Sequence, residues 1–376
     1  MPEQSSLPNS GKFSIQYKTQ LNASQYEAIT STQGPLLVIA GAGSGKTRTL
    51  TYRVARLVEE GVPPASILLL TFTRKAAHQM LERATELLDG RCGKVSGGTF
   101  HSFGNSILRK YASHMALNPG FAIMDRVDAE AAISLLRKEI DAGSKHRSFP
   151  RKHTLANIFS RAVNKMTTIE DVVYDDYSHL SSDMEAISLL FHGYQRHKRE
   201  HQLLDFDDLL VFLQQLLKSH PDIRERISSS FKYIMVDEYQ DTNKIQAEIL
   251  YLLTGAHQNI MVVGDDSQSI YAFRGANFKN IMEFPNMFAG TRIITLEENY
   301  RSVQPILNLT NIIIDQATEK YSKTLFTRKS GGSTPVLVSA RDENSQSLFV
   351  VRKIQELIDQ GVPLNQIAIL FRAGFH

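Results

Sequence analysis

The feature that most constrains this chain is a glycine-rich octapeptide placed directly after a short apolar run. The run is Leu36-Leu37-Val38-Ile39, and the octapeptide is Ala40-Gly41-Ala42-Gly43-Ser44-Gly45-Lys46-Thr47. An apolar run of this length predicts a buried strand, and glycines allow consecutive backbone N–H groups to turn toward one point. This order predicts an α/β fold in which the loop binds a chain of phosphates at the start of a helix.

Each residue type in the loop answers a chemical need. The backbone N–H groups of Ala42, Gly43, Ser44 and Gly45 would bind phosphate oxygens. Lys46 supplies a mobile positive charge, and the Thr47 hydroxyl is a suitable ligand for Mg²⁺. The usual pattern opens with glycine at position 40, so the alternative is a glycine-rich turn before an ordinary helix. The position after a strand and the Gly-Lys-Thr ending favour a site for ATP or GTP.

Composition limits the class of protein. A chain of 376 residues with 42% apolar residues has material for two or three domains. A single cysteine, Cys92, excludes an internal disulfide framework and a cysteine metal cluster. The sequence contains no apolar stretch near the roughly 18 residues of a membrane span, and its polar start does not resemble a signal peptide. We therefore expect a cytoplasmic protein with no membrane partner.

The overall charge is almost balanced, but one segment is basic. The formal net charge is +3, from 42 basic and 39 acidic residues. No carboxylate occurs at positions 142–169. The basic residues in this segment are Lys145, Arg147, Arg151, Lys152, Arg161 and Lys165. The segment is either a patch that faces phosphates or a solvated helix face, and the sequence leaves both open.

Strand-like runs alternate with helix-like stretches along much of the chain. The runs are residues 36–40, 67–71, 233–237, 260–264 and 292–296. This alternation predicts a parallel sheet in an α/β domain. Between the second and third runs, helical periodicity predicts an inserted helical domain at residues 105–204. The sheet domain then comprises residues 1–104 and 205–298.

The last part of the chain predicts the beginning of a second α/β domain, residues 299–376. Helices are expected at residues 305–317 and 345–359, and strands at 336–339 and 367–371. The chain ends just after the last of these apolar strands, so we expect a fragment of a longer protein.

Acidic residues follow the third strand-like run. Residues 231–236 run directly into Asp237-Glu238-Tyr239-Gln240-Asp241. A phosphate site needs carboxylates at the end of a neighbouring strand, since the carboxyl ends of parallel strands share one edge. Asp237 would bind Mg²⁺, and Glu238 would act as general base toward water. The alternative is an ordinary acidic loop.

The loop after the fourth run is unusually rich in polar and aromatic residues. It extends over residues 264–276 and contains Gln268, Tyr271, Phe273 and Arg274. Gln268 could contact the terminal phosphate, and the other three side chains offer flat surfaces on which bases stack. The alternative is that Tyr271 and Phe273 are buried packing residues.

Together these motifs resemble those of the UvrD/Rep-like (PcrA-type) superfamily 1 DNA helicases. Further segments occur in the order of that family: a Q motif at 21–25, single-strand contact motifs at 71–77 and 98–103, an element closing the insertion at 205–209, and the motif entering the second motor domain at 296–302. The resemblance implies a P-loop NTPase, RecA-like motor domain with a helical insertion and a truncated second RecA-like domain. The family's later motifs, including a second arginine finger, do not occur in the 376 residues.

The resemblance also implies roles for individual residues. Gln25 would hydrogen-bond the adenine edge, Arg48 and Tyr300 would lie on either side of its ring, and Arg301 would reach the γ-phosphate. The residues expected to contact DNA are Phe72, Thr99, His101, Tyr271, Phe273 and Arg274. From the residues alone, His101 could simply begin a helix, Arg48 could be a solvated helix residue, and Phe206 is more typical of a core.

The function implied is an ATP- and Mg²⁺-dependent 3′-to-5′ DNA helicase or translocase of repair or replication. Its partners would be single-stranded DNA, single-strand/duplex junctions, and repair or replication proteins. Two alternatives are a small-molecule kinase and a non-catalytic binding module. Stimulation of ATP hydrolysis by single-stranded DNA distinguishes the helicase from both.

Overall fold

The computed structural model describes residues 13–88, 90–141, 149–255, 257–270 and 276–371. These residues form eight strands and fifteen α-helices. The strands are β1 (Leu36–Ala40), β2 (Ile67–Thr71), β3 (Ser96–Thr99), β4 (Ala122–Ile123), β5 (Leu203–Leu204), β6 (Tyr233–Val236), β7 (Ile260–Gly264) and β8 (Arg292–Leu296). The helices are α1 (Tyr17–Gln20), α2 (Ala23–Thr30), α3 (Lys46–Glu59), α4 (Arg74–Leu87), α5 (Phe100–Tyr111), α6 (Arg126–Asp141), α7 (Lys152–Lys165), α8 (Ile169–Asp176), α9 (Met184–Glu200), α10 (Phe206–Ser219), α11 (Pro221–Ser230), α12 (Lys244–Thr254), α13 (Lys279–Met287), α14 (Gln304–Asp315) and α15 (Glu343–Asp359).

Six strands form one parallel sheet in the order β3-β2-β6-β7-β1-β8. Strand β1 lies between β7 and β8, with Leu36 in register with Met261 on one side and Arg292 on the other. All five strands predicted for the sheet domain are present, which confirms the α/β class with a parallel sheet. The expectation that the acidic segment follows a direct neighbour of β1 is wrong, because β7 separates β6 from β1.

Helices cover both faces of the sheet. Leu37 and Ile39 of β1 point into a core shared with α5, α10, α11, α12 and α13. Leu36 and Val38 point into a second core, shared with α2, α3 and α4. Because successive strand residues face opposite sides, a strand covered on both faces must be apolar throughout. This explains the uninterrupted apolar runs in the sequence.

Three short strands were not predicted. β3 is the edge strand Ser-Gly-Gly-Thr, in which Ser96 is in register with Leu68 of β2. Its glycines have low strand propensity, but a Cβ on Gly97 would lie 2.6 Å from Leu81 Cδ1, so glycine leaves room for the side chain of Leu81 on α4. β4 and β5 are two residues each and pair only with one another. Strands this short carry no detectable periodicity.

The inserted helices enclose a core of their own. Side chains from α6, α7, α8 and α9 form this third cluster, which includes Ile133, Phe159, Ile187 and Tyr194. The helical character predicted for residues 105–204 is therefore present, and the domain bounds stay a prediction. Helix α5 extends beyond residue 104 and packs Leu108 into the core of the sheet domain.

The region after residue 299 contains the predicted helices but not the predicted strands. α14 and α15 correspond to the expected helices, and no residue of α15 is buried. Residues 336–339 and 367–371 form no strand, which corrects the prediction. A strand requires a neighbouring strand to pair with its N–H and C=O groups, and apolar sequence alone does not provide one. No helix of the described residues is long and apolar enough to cross a membrane.

Candidate nucleotide-binding site and adjoining groove

The glycine-rich loop curls tightly between β1 and α3. Gly43 and Gly45 have φ values of +80° and +89°, in the left-handed region that favours glycine. The backbone N–H and the hydroxyl of Ser44 both donate to the carbonyl oxygen of Gly41, at 3.1 and 2.8 Å. The loop thereby brings the amino end of α3 to the carboxyl edge of the sheet, where backbone N–H groups attract anions.

Lys46 and Glu238 meet at this edge. Lys46 Nζ lies 2.8 Å from Glu238 Oε2, with the two side chains 10% and 33% exposed. Glu238 has a φ of +49°, in the left-handed region that residues with a side chain seldom adopt. The fold therefore brings together two residues that are 192 positions apart in sequence.

Asp237 is buried beside them, and one of its carboxylate oxygens accepts no hydrogen bond from the described residues. Its Oδ1 has no hydrogen-bond partner among the described residues, and its backbone N–H donates to Leu70 O at 2.9 Å. Burial, and then the charge of Glu238, raise the pKa of Asp237 to about 7, with Lys46 opposing them. Burial likewise raises the pKa of Asp241 to about 6.

These residues fit a divalent cation. A cavity of about 560 Å³ is lined by Thr47, Asp237 and Glu238, so one hydroxyl-bearing and two carboxylate-bearing residues border the same space. Mg²⁺ takes oxygen ligands and keeps several waters, so two protein ligands are sufficient.

Gln240, which the sequence did not single out, joins the acidic segment to the loop after β7. Its Nε2 donates to Glu238 Oε2 at 2.9 Å, and its Oε1 accepts from the N–H of Asp265 at 2.9 Å. A Cβ on Gly264 would lie 2.7 Å from Gln240 Oε1, so glycine allows this approach. Gln268 lies in the same loop and donates through Nε2 to Asp265 Oδ2.

Gln25 lies beneath the glycine-rich loop. Its side chain is buried, with Nε2 donating to Ser44 O at 3.0 Å and Oε1 accepting from the N–H of Asn22 at 3.3 Å. The pair also forms a capping box at the start of α2. Gln25 therefore supports the loop, and only its second N–H and remaining lone pair could serve a purine.

Arg48 and Tyr300 lie on the outer side of the loop. The Arg48 guanidinium donates to Gln20 O at 2.8 Å and lies over the ring of Tyr52, 5.2 Å from its centroid. Tyr300 is 45% exposed, its hydroxyl accepts from Asn22 Nδ2 at 2.9 Å, and its N–H donates to Gly43 O at 2.9 Å. The tyrosine ring is thus fixed beside the loop with its surface partly open.

Asn299 connects the loop to the segment that follows β8. Its Nδ2 donates to Ala42 O at 2.5 Å, and its Oδ1 accepts from the N–H groups of Arg301 and Ser302 at 2.8 and 2.7 Å. Arg301 is exposed next to the loop. A Cβ on Gly43 would lie 2.7 Å from Arg301 Cβ. Sequence reasoning assigned no role to Asn299, because only the fold shows which backbone groups it contacts.

A groove of about 860 Å³ adjoins the nucleotide site. Phe72, Thr99 and His101 line it, and so do Asp237 and Glu238. Thr99 caps α5 by accepting from the N–H of Ser102, and burial lowers the pKa of His101. The predicted contacts Tyr271, Phe273 and Arg274 lie outside the described residues.

Phe206 corrects an expectation. It is 46% exposed rather than part of a core, and its ring lies edge-on to His101 with 5.9 Å between ring centroids. The position at the start of α10 leaves this side chain at the surface, whereas the apolar residues one turn later are buried. Local sequence does not show which side of a helix start faces a neighbouring domain.

The basic segment is partly neutralised. Arg161 and Lys165 lie 3.5 and 2.6 Å from Asp176 Oδ2, and Lys152 lies 3.8 Å from Glu130 Oε2. Both carboxylates come from outside positions 142–169. Lys145 and Arg147 lie outside the described residues. Arg161 also lines the groove. The segment therefore has features of both alternatives, a patch that faces phosphates and a solvated helix face.

A parallel sheet with a glycine-rich loop after a central strand, and carboxylates two strands away, defines a P-loop nucleotide-binding domain of the RecA-like class. Residues 21–289 match the family described as UvrD/REP helicase N-terminal domain, and residues 294–375 match the UvrD-like helicase C-terminal domain. The chain belongs to the UvrD/REP helicase family.

Curated relatives agree with this assignment. The chain is 38% identical over 355 residues to the ATP-dependent DNA helicase PcrA of Staphylococcus epidermidis strain RP62A, covering 94% of this chain and 48% of that protein. It is 37% identical, with the same coverage, to the ATP-dependent DNA helicase PcrA of Staphylococcus aureus strain Mu50. The chain thus spans about half the length of the curated relatives it matches.

Proposed function

We propose that this chain is the nucleotide-hydrolysing front part of an ATP-dependent DNA helicase or translocase that moves 3′ to 5′ on single-stranded DNA. The observation that carries this proposal is the shared wall of the two sites. The groove that contains Phe72, Thr99 and His101 is also lined by Asp237 and Glu238, and Glu238 contacts Lys46 of the phosphate loop. A strand in the groove and a nucleotide on the loop would therefore act on the same residues.

The residues of the loop and the acidic segment perform the hydrolysis. Lys46 would bind the β- and γ-phosphates, and Thr47 and Asp237 would hold Mg²⁺, which when bound would neutralise charge on the phosphates. In the structure Lys46 Nζ donates a hydrogen bond to Glu238 Oε2. When Lys46 turns to the phosphates, Glu238 becomes free to accept a proton from water. The Lys46–Glu238 ion pair thus holds the base inactive until nucleotide binds.

The surrounding residues orient the nucleotide. Tyr300 and Arg48 flank the base. Gln25 supports the loop and donates its remaining N–H to the adenine edge. Gln268 and Arg301 contact the terminal phosphate. Asn299 holds the backbone of Arg301 against the loop. These assignments join the site to the region that begins the second motor domain.

The groove residues bind the strand. Phe72 is 37% exposed and provides a surface on which a base of any identity stacks. A neutral His101 and the Thr99 hydroxyl suit hydrogen bonding to the sugar–phosphate backbone. Tyr271, Phe273 and Arg274 are assigned to the same strand from the sequence. The physiological substrates would be single-strand/duplex junctions in repair or replication, together with partner proteins of those processes.

The test uses the full-length protein, with ATP hydrolysis measured with and without single-stranded DNA. We expect DNA to stimulate turnover, and Lys46→Ala or Glu238→Gln to lower stimulated turnover by about 10²-fold or more, because each removes a group that acts on the reacting phosphate or water. Matched controls are Lys353→Ala and Glu356→Gln, which break an ion pair of the same 2.8 Å length on exposed α15. Undiminished turnover in both site variants would refute the site.

Two further outcomes separate the alternatives. ATP hydrolysis that is indifferent to DNA favours a small-molecule kinase, and absent hydrolysis in the full-length protein favours a binding module. Unwinding of duplexes with a 3′ tail but not a 5′ tail supports the proposed direction. The 376-residue chain alone is expected to bind nucleotide with little or no unwinding. Robust strand separation by that chain would contradict this expectation.

A further inference from the structure

Lys323 is a buried lysine in the segment that follows α14. Its side chain is 2% exposed, and its Nζ lies 2.5 Å from Oδ1 of Asp265 and 2.5 Å from Oδ1 of Asp266. Both carboxylates are buried too. Lysine is almost never fully buried unless it is paired, so one cation between two buried carboxylates needs an explanation.

Asp265 links this lysine to the nucleotide site. Its second oxygen, Oδ2, accepts from Gln268 Nε2. Its backbone N–H donates to Gln240, which in turn donates to the same Glu238 oxygen that Lys46 contacts. A continuous series of hydrogen bonds therefore runs from Lys323 to the residues proposed to sense the terminal phosphate and activate water.

The segment around Lys323 is held against the same edge of the sheet. Tyr321 donates from its N–H to Asp266 Oδ2 at 3.3 Å and from its hydroxyl to Ile281 O at 3.1 Å. Thr324 donates from its N–H to Glu297 Oε1 at 2.7 Å. A Cβ on Gly41 would lie 2.5 Å from Leu325 Cδ2, so this leucine packs against the phosphate loop.

Stability alone does not explain the arrangement. Burying three charges costs desolvation free energy, and replacing a buried ion pair with apolar residues of similar volume is often neutral or stabilising. Although burial acts to raise it, the pKa of Asp265 is lowered because of the Lys323 charge and the hydrogen bonds it receives. Without the ammonium, two adjacent buried carboxylates would repel one another, and Asp265 would lose the position from which it holds Gln268.

We propose that Lys323 is a positioning residue for nucleotide hydrolysis: its ammonium holds Asp265 so that Gln268 is aligned with the terminal phosphate. The inference rests on the proposed function, since it requires that Gln268 contact the nucleotide. Lys323 lies in the region matched to the C-terminal helicase domain, whereas Asp265 and Gln268 lie in the N-terminal one. Through the contact between Lys323 and Asp265, the alignment of Gln268 depends on the position of the segment that begins the second domain.

The experiment compares variants of the full-length protein in DNA-stimulated ATP hydrolysis. Lys323→Met keeps the length of the side chain and removes the charge. We expect it to lower kcat by about 10-fold or more, with KM for ATP within about 3-fold, because the alignment of a reacting group is lost while phosphate binding remains. Lys323→Arg, which retains the charge, is expected to recover most of kcat. The matched control is Lys320→Met, three residues before Lys323, which removes a lysine paired with Asp315.

A double-mutant cycle separates positioning from general structural damage. If Lys323 acts through Gln268, then adding Lys323→Met to Gln268→Ala lowers kcat no further. If the two losses multiply, or if Lys323→Met alone stays within about 2-fold of wild type, the inference is overturned. Thermal unfolding by circular dichroism shows whether each variant is folded at the assay temperature.

A second variant covers the case in which Lys323→Met does not fold. Asp265→Asn keeps the shape of the side chain and removes the charge that Lys323 and Gln268 share. It is expected to lower kcat with the same lack of additivity toward Gln268→Ala, and an unchanged kcat overturns the inference. Different results would contradict the proposed function and the role of Lys323. If DNA does not stimulate hydrolysis and Lys46→Ala retains full turnover, the proposed function is wrong. If those results hold but Lys323→Met matches wild type, only the role of Lys323 is wrong.

Discussion

The inserted helices and the C-terminal region are attached to the same sheet domain in opposite ways. Helices α6 to α9 enclose their own apolar core. After Glu298, by contrast, the described residues that are buried as a whole are Asn299, Leu307 and Leu325, and the side chain of Lys323 is buried as well. The first region is therefore stabilised by its own interior, and the second depends on its contacts with the sheet domain.

The two joints also differ in chemistry. The insertion is joined by a buried polar cluster in which Lys198 Nζ lies 2.7 Å from Asp205 Oδ2 and 2.6 Å from Asp208 Oδ2. Asn164 adds a hydrogen bond to Asp207 and accepts one from Asn243. These contacts join α7 and α9 to α10 and the start of α12.

The C-terminal region is joined through the loops of the candidate nucleotide site. Asn299 contacts the phosphate loop, and Lys323 contacts the loop that carries Gln268. Any ligand that moves these loops acts on the attachment directly. Similar buried polar groups thus form both joints, and the two joints differ in which loops these groups contact.

A substitution in the core of the insertion tests the difference in packing and should have the greatest effect on stability. Ile187→Ala in α9 removes a fully buried side chain from the insertion core and should lower the free energy of unfolding by about 2–5 kcal/mol, because it leaves a cavity. Ile358→Ala in α15 is the matched control, since the same substitution is made on a helix with no buried residues. It should change stability by no more than about 0.5 kcal/mol. Urea unfolding followed by circular dichroism gives both values, and equal losses would contradict the comparison.

The next effect concerns the pH dependence of the insertion joint. Burial, and then the charge of Asp205, raise the pKa of Asp208 to about 7, with Lys198 opposing them. A carboxyl group whose pKa is higher when folded takes up protons on folding. Its contribution is thus full below the unfolded pKa of about 4 and is lost as pH rises toward 7.

Asp208→Asn should therefore flatten the fall of unfolding free energy between pH 4 and 7, by up to about 1.4 kcal/mol per pH unit. Urea titrations at a series of pH values measure this slope. Asp342→Asn at the cap of α15 is the control, because hydrogen bonds to Ser345 lower the pKa of Asp342 and place its titration below this range. A slope that is the same in wild type and Asp208→Asn would show that Asp208 does not titrate in this range.

The smallest effect concerns the joint at the phosphate loop. Asn299→Ala removes the side chain that holds Ala42, Arg301 and Ser302, and should weaken nucleotide binding by about tenfold, the loss expected for one to two buried hydrogen bonds. Titration with a fluorescent ADP analogue measures it. Asn308→Ala, on α14, breaks only a hydrogen bond with Gln304 at the surface and is the matched control. If both variants bind nucleotide equally well, Asn299 does not organise the loop.

The elements that could be predicted were those with a local signature. β1, β2 and β7 are the buried apolar runs that the sequence predicts, and the loop before Lys46 is evident from its glycines. The edge strand β3 was missed because Ser-Gly-Gly-Thr has no strand preference of its own. The strands expected at 336–339 and 367–371 are not formed, because apolar sequence specifies a tendency to pair but not a partner.

The missed site residues share one property. Each contacts a residue that is distant in sequence. Gln240 and Asp265 are 25 positions apart, Asn299 and Ala42 are 257 apart, and Lys323 and Asp265 are 58 apart. No window along the chain contains both partners. Asn22 is different, because Asn-x-x-Gln before a helix is a capping pattern that can be read from sequence.

By itself the sequence determined that a strand, a phosphate loop and a helix follow one another, since glycine conformation and apolar burial act over a few residues. It also determined the order of the motifs that identify the family. The tertiary structure alone decided that Glu238 meets Lys46, that Gln25 supports the loop from below, and that Lys323 is buried between two carboxylates. Such contacts depend on which strands become neighbours in the sheet, and that follows from the packing of the whole core rather than from any local pattern.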